Sequence, residues 1–148
     1  MRAPTFSASH IETRAHLYAR LEGPHLLRMT IGIVFLWFGA LKLLGRSPAD
    51  HIVHAMLPFI PQSMVVRVVG CYECVLGIGL IMGRFMKLTL SMFWLQVLLT
   101  LSLMVLQPKL VFQNSIPPFL TMEGEFVVKN IVLLAAGVVM VGYFERVK

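Results

Sequence analysis

Cys71 and Cys74, three residues apart with Glu73 between them, form the most chemically suggestive group in the chain. A Cys-x-x-Cys pair performs dithiol–disulfide chemistry when its first cysteine opens a helix. The free backbone amides and the helix dipole there stabilise the thiolate. Here the surrounding apolar run predicts a helix beginning near Ser63, so Cys71 falls about two turns inside it. That placement weakens dipole activation and gives both cysteines helical backbone. Two roles stay open: small apolar packing residues, or a redox pair if the helix breaks at Gly70 and a new N-terminus forms beside Cys71.

Glu73 raises a second question. It lies near the middle of an apolar run from Met64 to Gly83. An ionisable side chain at the centre of a membrane helix costs roughly 2.5–3.5 kcal/mol on insertion scales, so it calls for a partner. Gly70 and Gly77 lie about one turn before and after it on the same face, and small residues let a neighbouring helix approach. Glu73 is therefore expected to face other helices. Candidate partners are Lys42 at the end of the first apolar run, Lys129 near the start of the last, and Gln96 mid-way along the third. A Glu73–Lys42 or Glu73–Lys129 pair with Gln96 would neutralise the charge. Such a cluster fits three uses: fixing helix register, seating a polar headgroup such as a quinone, or handling a proton. A protonated Glu73 is a further alternative.

His51 and His54 have a spacing that places two imidazoles on one helical face, with Asp50 adjacent, but no third metal ligand lies nearby in sequence. A surface-loop role is the alternative reading. His25 stands only at the start of the first apolar run, so no histidine inside a span offers itself to haem. No phosphate-cradling glycine loop or Ser–His–Asp arrangement occurs.

These residues sit on elements set by the overall composition. Of 148 residues, 57% are hydrophobic and 14% charged, with a mean hydropathy of +0.80. Soluble domains carry about 25% charged residues, so most of this chain is expected to avoid water. The net charge of +6 is spread along the chain in ones and twos with no basic–aromatic run, which speaks against nucleic acid. Four apolar stretches, about 26–44, 64–83, 88–106 and 126–143, are long enough at 1.5 Å per residue to cross a hydrocarbon core about 30 Å thick. Backbone groups in lipid must be satisfied internally, which makes these stretches helices. The fold class expected is an all-α integral membrane protein, a four-transmembrane-helix bundle.

The connections differ. Gly83-Arg84 to Lys87 forms a tight basic turn, and the 50–57 stretch suits a short amphipathic helix lying on the surface. The 107–125 connection, with Pro108, Pro117 and Pro118, cannot be one helix. Residues 1–25 read as a separate cytoplasmic or interfacial segment. In it, a short amphipathic helix starts at a Ser9–Glu12 capping box and ends at Gly23-Pro24. This segment lacks the apolar core and cleavage site of a signal peptide. Lys and Arg favour the terminal side: Arg2, Arg14, Arg20, Arg28, Arg84, Lys87, Arg146 and Lys148 against Lys42, Arg46, Arg67, Lys109 and Lys129. Positive-inside then predicts both termini in the cytoplasm.

Three stretches resemble the DoxX-like superfamily, especially its YkgB-like branch associated with reactive-chlorine resistance. They are Arg28-Met-Thr-Ile-Gly-Ile-Val-Phe-Leu-Trp-Phe-Gly-Ala-Leu-Lys42-Leu, Gly70-Cys-Tyr-Glu73-Cys-Val-Leu-Gly77 and Glu123-Gly-Glu-Phe-Val-Val-Lys129-Asn130. The resemblance spans roughly residues 28 to 140. It implies a four-helix membrane domain over 26–148, in which Lys42, Glu73 and Lys129 match characteristic polar positions. Glu125 and Asn130 depart from the pattern, and Cys71 and Cys74 lie outside it. Members are linked with sulfur-compound oxidation at the quinone level and with oxidative-stress complexes. The implied function is an accessory or redox-supporting subunit in a bacterial cytoplasmic (inner) membrane, partnered by other membrane subunits or by its own copies. The alternatives are a quinone-linked thiol or sulfur oxidoreductase using Cys71, Cys74 and Glu73, and a small transporter centred on Glu73.

Overall fold

The apolar runs become helices, and only some of the glycines and prolines between and within them act as stops. The computed structural model describes residues 8–48, 50–56, 59–113 and 119–146, with 8–15, 55–56 and 145–146 as backbone only. Among the described residues six helices follow one another: α1 (Ala8–Leu43), α2 (Asp50–Met56), α3 (Gln62–Met82), α4 (Met86–Leu106), α5 (Pro108–Val111) and α6 (Met122–Arg146). Four of them, α1, α3, α4 and α6, are long and apolar enough to cross a bilayer. The chain is a multi-pass helical membrane protein.

The stops have local causes. Gly83 ends α3 in the left-handed conformation at φ 66°, its amide donating to the Gly79 carbonyl, a geometry glycine adopts without steric cost. Pro108 opens α5 at a first-turn position where its missing N–H matters least. Thr121 caps α6. Its hydroxyl accepts from the Gly124 amide at 2.9 Å and donates to the Leu110 carbonyl, tying α6 to α5.

The N-terminal expectation is overturned. Instead of a separate amphipathic helix stopping at Gly23-Pro24, α1 runs unbroken through Pro24 for 36 residues. Residues 16–22 are exposed all round, Leu17, Tyr18 and Leu21 included, so no apolar face is buried there. The side chains of Ser9 and Glu12, and with them the capping box, lie outside the described residues. Proline removes one backbone bond from the helix, and tertiary contacts hold the next turn in place. The Tyr143 hydroxyl lies 2.8 Å from His25 Nε2 and donates to the Leu21 carbonyl at 3.5 Å, bracketing the proline.

The spans alternate in direction. Gly32 lies against Gly77 and Gly39 against Gly70, so α1 and α3 are antiparallel. Gly79 meets Thr89 across α3 and α4, and Gly137 meets Phe93 and Trp94 across α4 and α6. The central core joins Ile31 and Phe35 of α1, Leu76 and Leu80 of α3, Leu90, Phe93 and Val97 of α4, and Ala136 and Met140 of α6. Phe35 and Phe93 meet edge to face at 5.9 Å, the arrangement their quadrupoles favour.

The short elements close one end of the bundle. α2 forms where the pattern suggests, with His51 exposed and its apolar side turned inward. Ile52 is buried with Leu103, Val111 and Val127, and Val53 with Val65 and Val66. An amphipathic pattern marks a face for burial without saying whether lipid or protein covers it; here residues of four helices, α3, α4, α5 and α6, do. The opposite end carries both outer helix termini and the α3–α4 turn.

Candidate functional site

The polar cluster depends on how closely α1 and α3 approach. Gly32 and Gly39 on α1, and Gly70 and Gly77 on α3, repeat every seven residues, the period that keeps one seam facing a neighbouring helix. A Cβ on Gly77 would lie 2.6 Å from the Gly32 carbonyl oxygen, and one on Gly39 2.7 Å from the Gly70 carbonyl oxygen. The backbones therefore touch, as small residues allow in membranes. Gly70 also leaves room beside the Lys42 Cβ, so the lysine stem lies across α3.

Along that stem Lys42 reaches Glu73. Its Nζ lies 2.7 Å from Glu73 Oε2, both side chains almost fully buried. Gln96 Nε2 of α4 donates to the other carboxylate oxygen, Oε1, at 3.2 Å. Three spans thus meet at one carboxylate. In an apolar interior such a pair holds only when the remaining hydrogen-bond positions are also filled; here each carboxylate oxygen has its own donor.

Lys129, the other lysine considered for Glu73, stands elsewhere. It is 68% exposed, 3.7 Å from Glu125 one turn back, and its ammonium lies 5.4 Å from the Phe126 ring centre. It starts α6 close to the closed end, where a long stem turns outward at little cost.

The cysteines occupy an uninterrupted helix. Gly70 does not break α3, so the fresh N-terminus that would activate Cys71 is absent. Both thiols are free; Cys71 is exposed and Cys74 half-buried. Cys74 Sγ lies 3.9 Å from the Leu36 carbonyl, filling the space beside Gly39. Tyr72, the neighbour of both, donates from its hydroxyl to the Met92 carbonyl at 2.7 Å and so links α3 to α4.

His51 is exposed and His54 half-buried on α2. Among the described residues, no three His, Cys, Asp or Glu side chains converge as metal ligands would.

No family model, curated protein or solved structure matches this chain. The site is therefore read from its own geometry.

Two features of that geometry escape the sequence. The first is Arg28, buried where α3 ends. It donates from Nη1 to the Leu80 and Ile81 carbonyls, rests against Gly83 and stands 5.8 Å from the Phe144 ring centre. A cation at a helix C-terminus is favoured by the dipole and by the unpaired last carbonyls. The second is a cleft of about 390 Å³ at the closed end, lined by Lys42, Leu43, Gly45, Asp50, Gln62, Ser63, Val66 and Arg67. It places Lys42 between the buried carboxylate and a polar opening. Buried arginines and polar clefts are assembled from residues far apart in sequence, so no local pattern announces them.

Proposed function

We propose that this chain is a DoxX-like membrane protein serving as a non-catalytic, accessory subunit of a membrane oxidoreductase or oxidative-stress assembly, with both termini in the cytoplasm of a bacterial cell. The observation that carries this reading is the closed state of Glu73. Both of its oxygens are engaged, by Lys42 and by Gln96. A carboxylate so occupied binds helices together; taking up or passing a proton would require dismantling the anchor of three spans. The thiols add weight to the same side, since a redox dithiol needs an activated, accessible first cysteine and Cys71 lies mid-helix. The exposed apolar faces, for example Trp37 and Phe38 of α1 and Ile131 and Val132 of α6, suit lipid and partner helices alike.

The test is the native mass of the protein extracted in a very mild detergent, with every co-purifying species identified. Recovery inside a larger redox assembly supports the accessory role. Recovery alone, or as a homo-oligomer carrying quinone, overturns it in favour of a quinone-linked enzyme.

A further inference from the structure

The cleft beyond Lys42 sits at a distinctive depth. It lies where α1 ends and α3 begins, bounded by Lys42 and Leu43 on one side and Gln62 and Ser63 on the other. In a chain with four spans this is the level of lipid headgroups. Its volume, about 390 Å³, falls within the range of small-ligand sites.

Its charges are arranged in an unusual way. The Lys42 charge is already balanced by Glu73, which leaves Arg67 and Asp50 as the ionised groups facing the cleft. They do not pair with each other. Arg67 spends its Nε on the Ser63 carbonyl at 3.0 Å, leaving the terminal nitrogens of its guanidinium for another acceptor. Asp50 lines the cleft half-buried, and its covered Oδ1 has no hydrogen-bond donor among the described residues, so nothing inside the fold neutralises that oxygen. An unsatisfied buried acceptor is costly, more so when charged. A guanidinium and a carboxylate flanking one cleft without meeting complement a ligand that itself carries separated positive and negative charges. The ionised Asp50 only accepts, so the positive end must bring N–H groups. The negative end suits a phosphate, which a guanidinium binds through two parallel bonds. Beside the cleft, Leu44 just past α1 and Met64 and Val68 of α3 expose apolar side chains, a surface on which acyl chains can lie.

We propose that this cleft binds the headgroup of an aminophospholipid, its phosphate on Arg67 with Lys42 nearby and its primary ammonium on Asp50. The site does not depend on the accessory role and would serve equally in a protein that acts alone.

The experiment is native mass spectrometry of the full chain, purified in a mild detergent and offered phosphatidylethanolamine or phosphatidylcholine with matched acyl chains. The two headgroups differ in N–H donors, because the choline nitrogen has none. Phosphatidylethanolamine is expected to be retained about tenfold better, the factor carried by one charge-assisted hydrogen bond. Asp50→Asn is expected to bring that ratio close to one, and Arg67→Gln, at an exposed position, to reduce retention of both lipids. Equal retention by the unmodified protein overturns the proposal, as does an Asp50→Asn protein of unchanged helicity that keeps the preference. Displacement of the lipid by an equal concentration of soluble glycerophosphoethanolamine overturns the lipid as occupant in favour of a free zwitterion; persistence of the lipid supports it.

Discussion

Glu73 is buried among apolar helices and neutralised by one lysine, so the loss of either partner strands an ion. Lys42→Met is expected to destabilise the fold by about 3–5 kcal/mol, the usual effect of breaking a buried pair from one side. The double variant Lys42→Met/Glu73→Leu should recover most of that loss, because no charge is then left unpaired. Denaturant unfolding in detergent micelles, followed by circular dichroism, distinguishes the two. A single variant no worse than the double would show that the pair does not anchor the bundle. The cysteines lead to a different expectation. Cys71 is exposed and Cys74 is wedged against α1, so a lipid-soluble maleimide should label Cys71 well before Cys74. Comparable labelling rates would mean that the α1–α3 seam opens readily.

The seam between α1 and α3 is set by its four glycines. Gly77→Leu drives a side chain into the backbone of α1 around Gly32 and Leu36, and overpacking of this kind typically costs about 1–3 kcal/mol or more. The matched control is Gly142→Ala, which meets nothing within 4 Å and should gain roughly 0.5–1 kcal/mol from helix propensity alone. Thermal unfolding of the two variants in one detergent gives the comparison, and equal melting temperatures would refute the close approach. The α3–α4 turn holds a related position. Gly83 combines φ 66° with close contact to Arg28, so Gly83→Ala carries both backbone strain and displacement of the arginine cap. Its destabilisation should therefore exceed the ~1 kcal/mol of a left-handed alanine. Arg28→Met should remove the excess, as read from a double-mutant cycle.

Across the whole molecule, the helix ends sort the cations. Arg20, Arg28, Arg84 and Lys87 gather with the termini, while Lys42, Arg46, Arg67, Lys109 and Lys129 lie toward the end closed by α2 and α5. Arg2, Arg14, Arg146 and Lys148 of the terminal segments bring the first group to eight against five, and the orientation proposed above has the closed end outside the cell. In a Cys71→Ser/Cys74→Ser background, Lys109→Cys should react with a membrane-impermeant thiol reagent in intact cells, and Arg84→Cys only after the cells are broken. The reverse pattern would invert the topology and place the zwitterion cleft on the cytoplasmic side.

The sequence by itself determined the class of fold, because hydropathy and length act residue by residue. A run of about twenty apolar side chains is helical in lipid whatever lies beside it. It also singled out Glu73 and Gln96, since polar groups at mid-span need partners wherever the helices go, and offered Lys42 and Lys129 at span ends as lysines that could reach the carboxylate. Which lysine answers Glu73 was decided only in three dimensions. Lys42 and Lys129 have equivalent stems and similar places in the pattern, but only Lys42 lies beside a glycine seam narrow enough to bring its ammonium to the carboxylate. The same limit explains α1. Gly23-Pro24 is a local stop signal, and the contacts of Tyr143 with Leu21 and His25 carry the helix past it. It explains α2 as well, whose apolar side is covered by distant helices instead of lipid. The Arg28 cap and the Arg67–Asp50 cleft join residues tens of positions apart. Contacts of that range are created by the packing of the spans, and packing energy has no signature along a single chain.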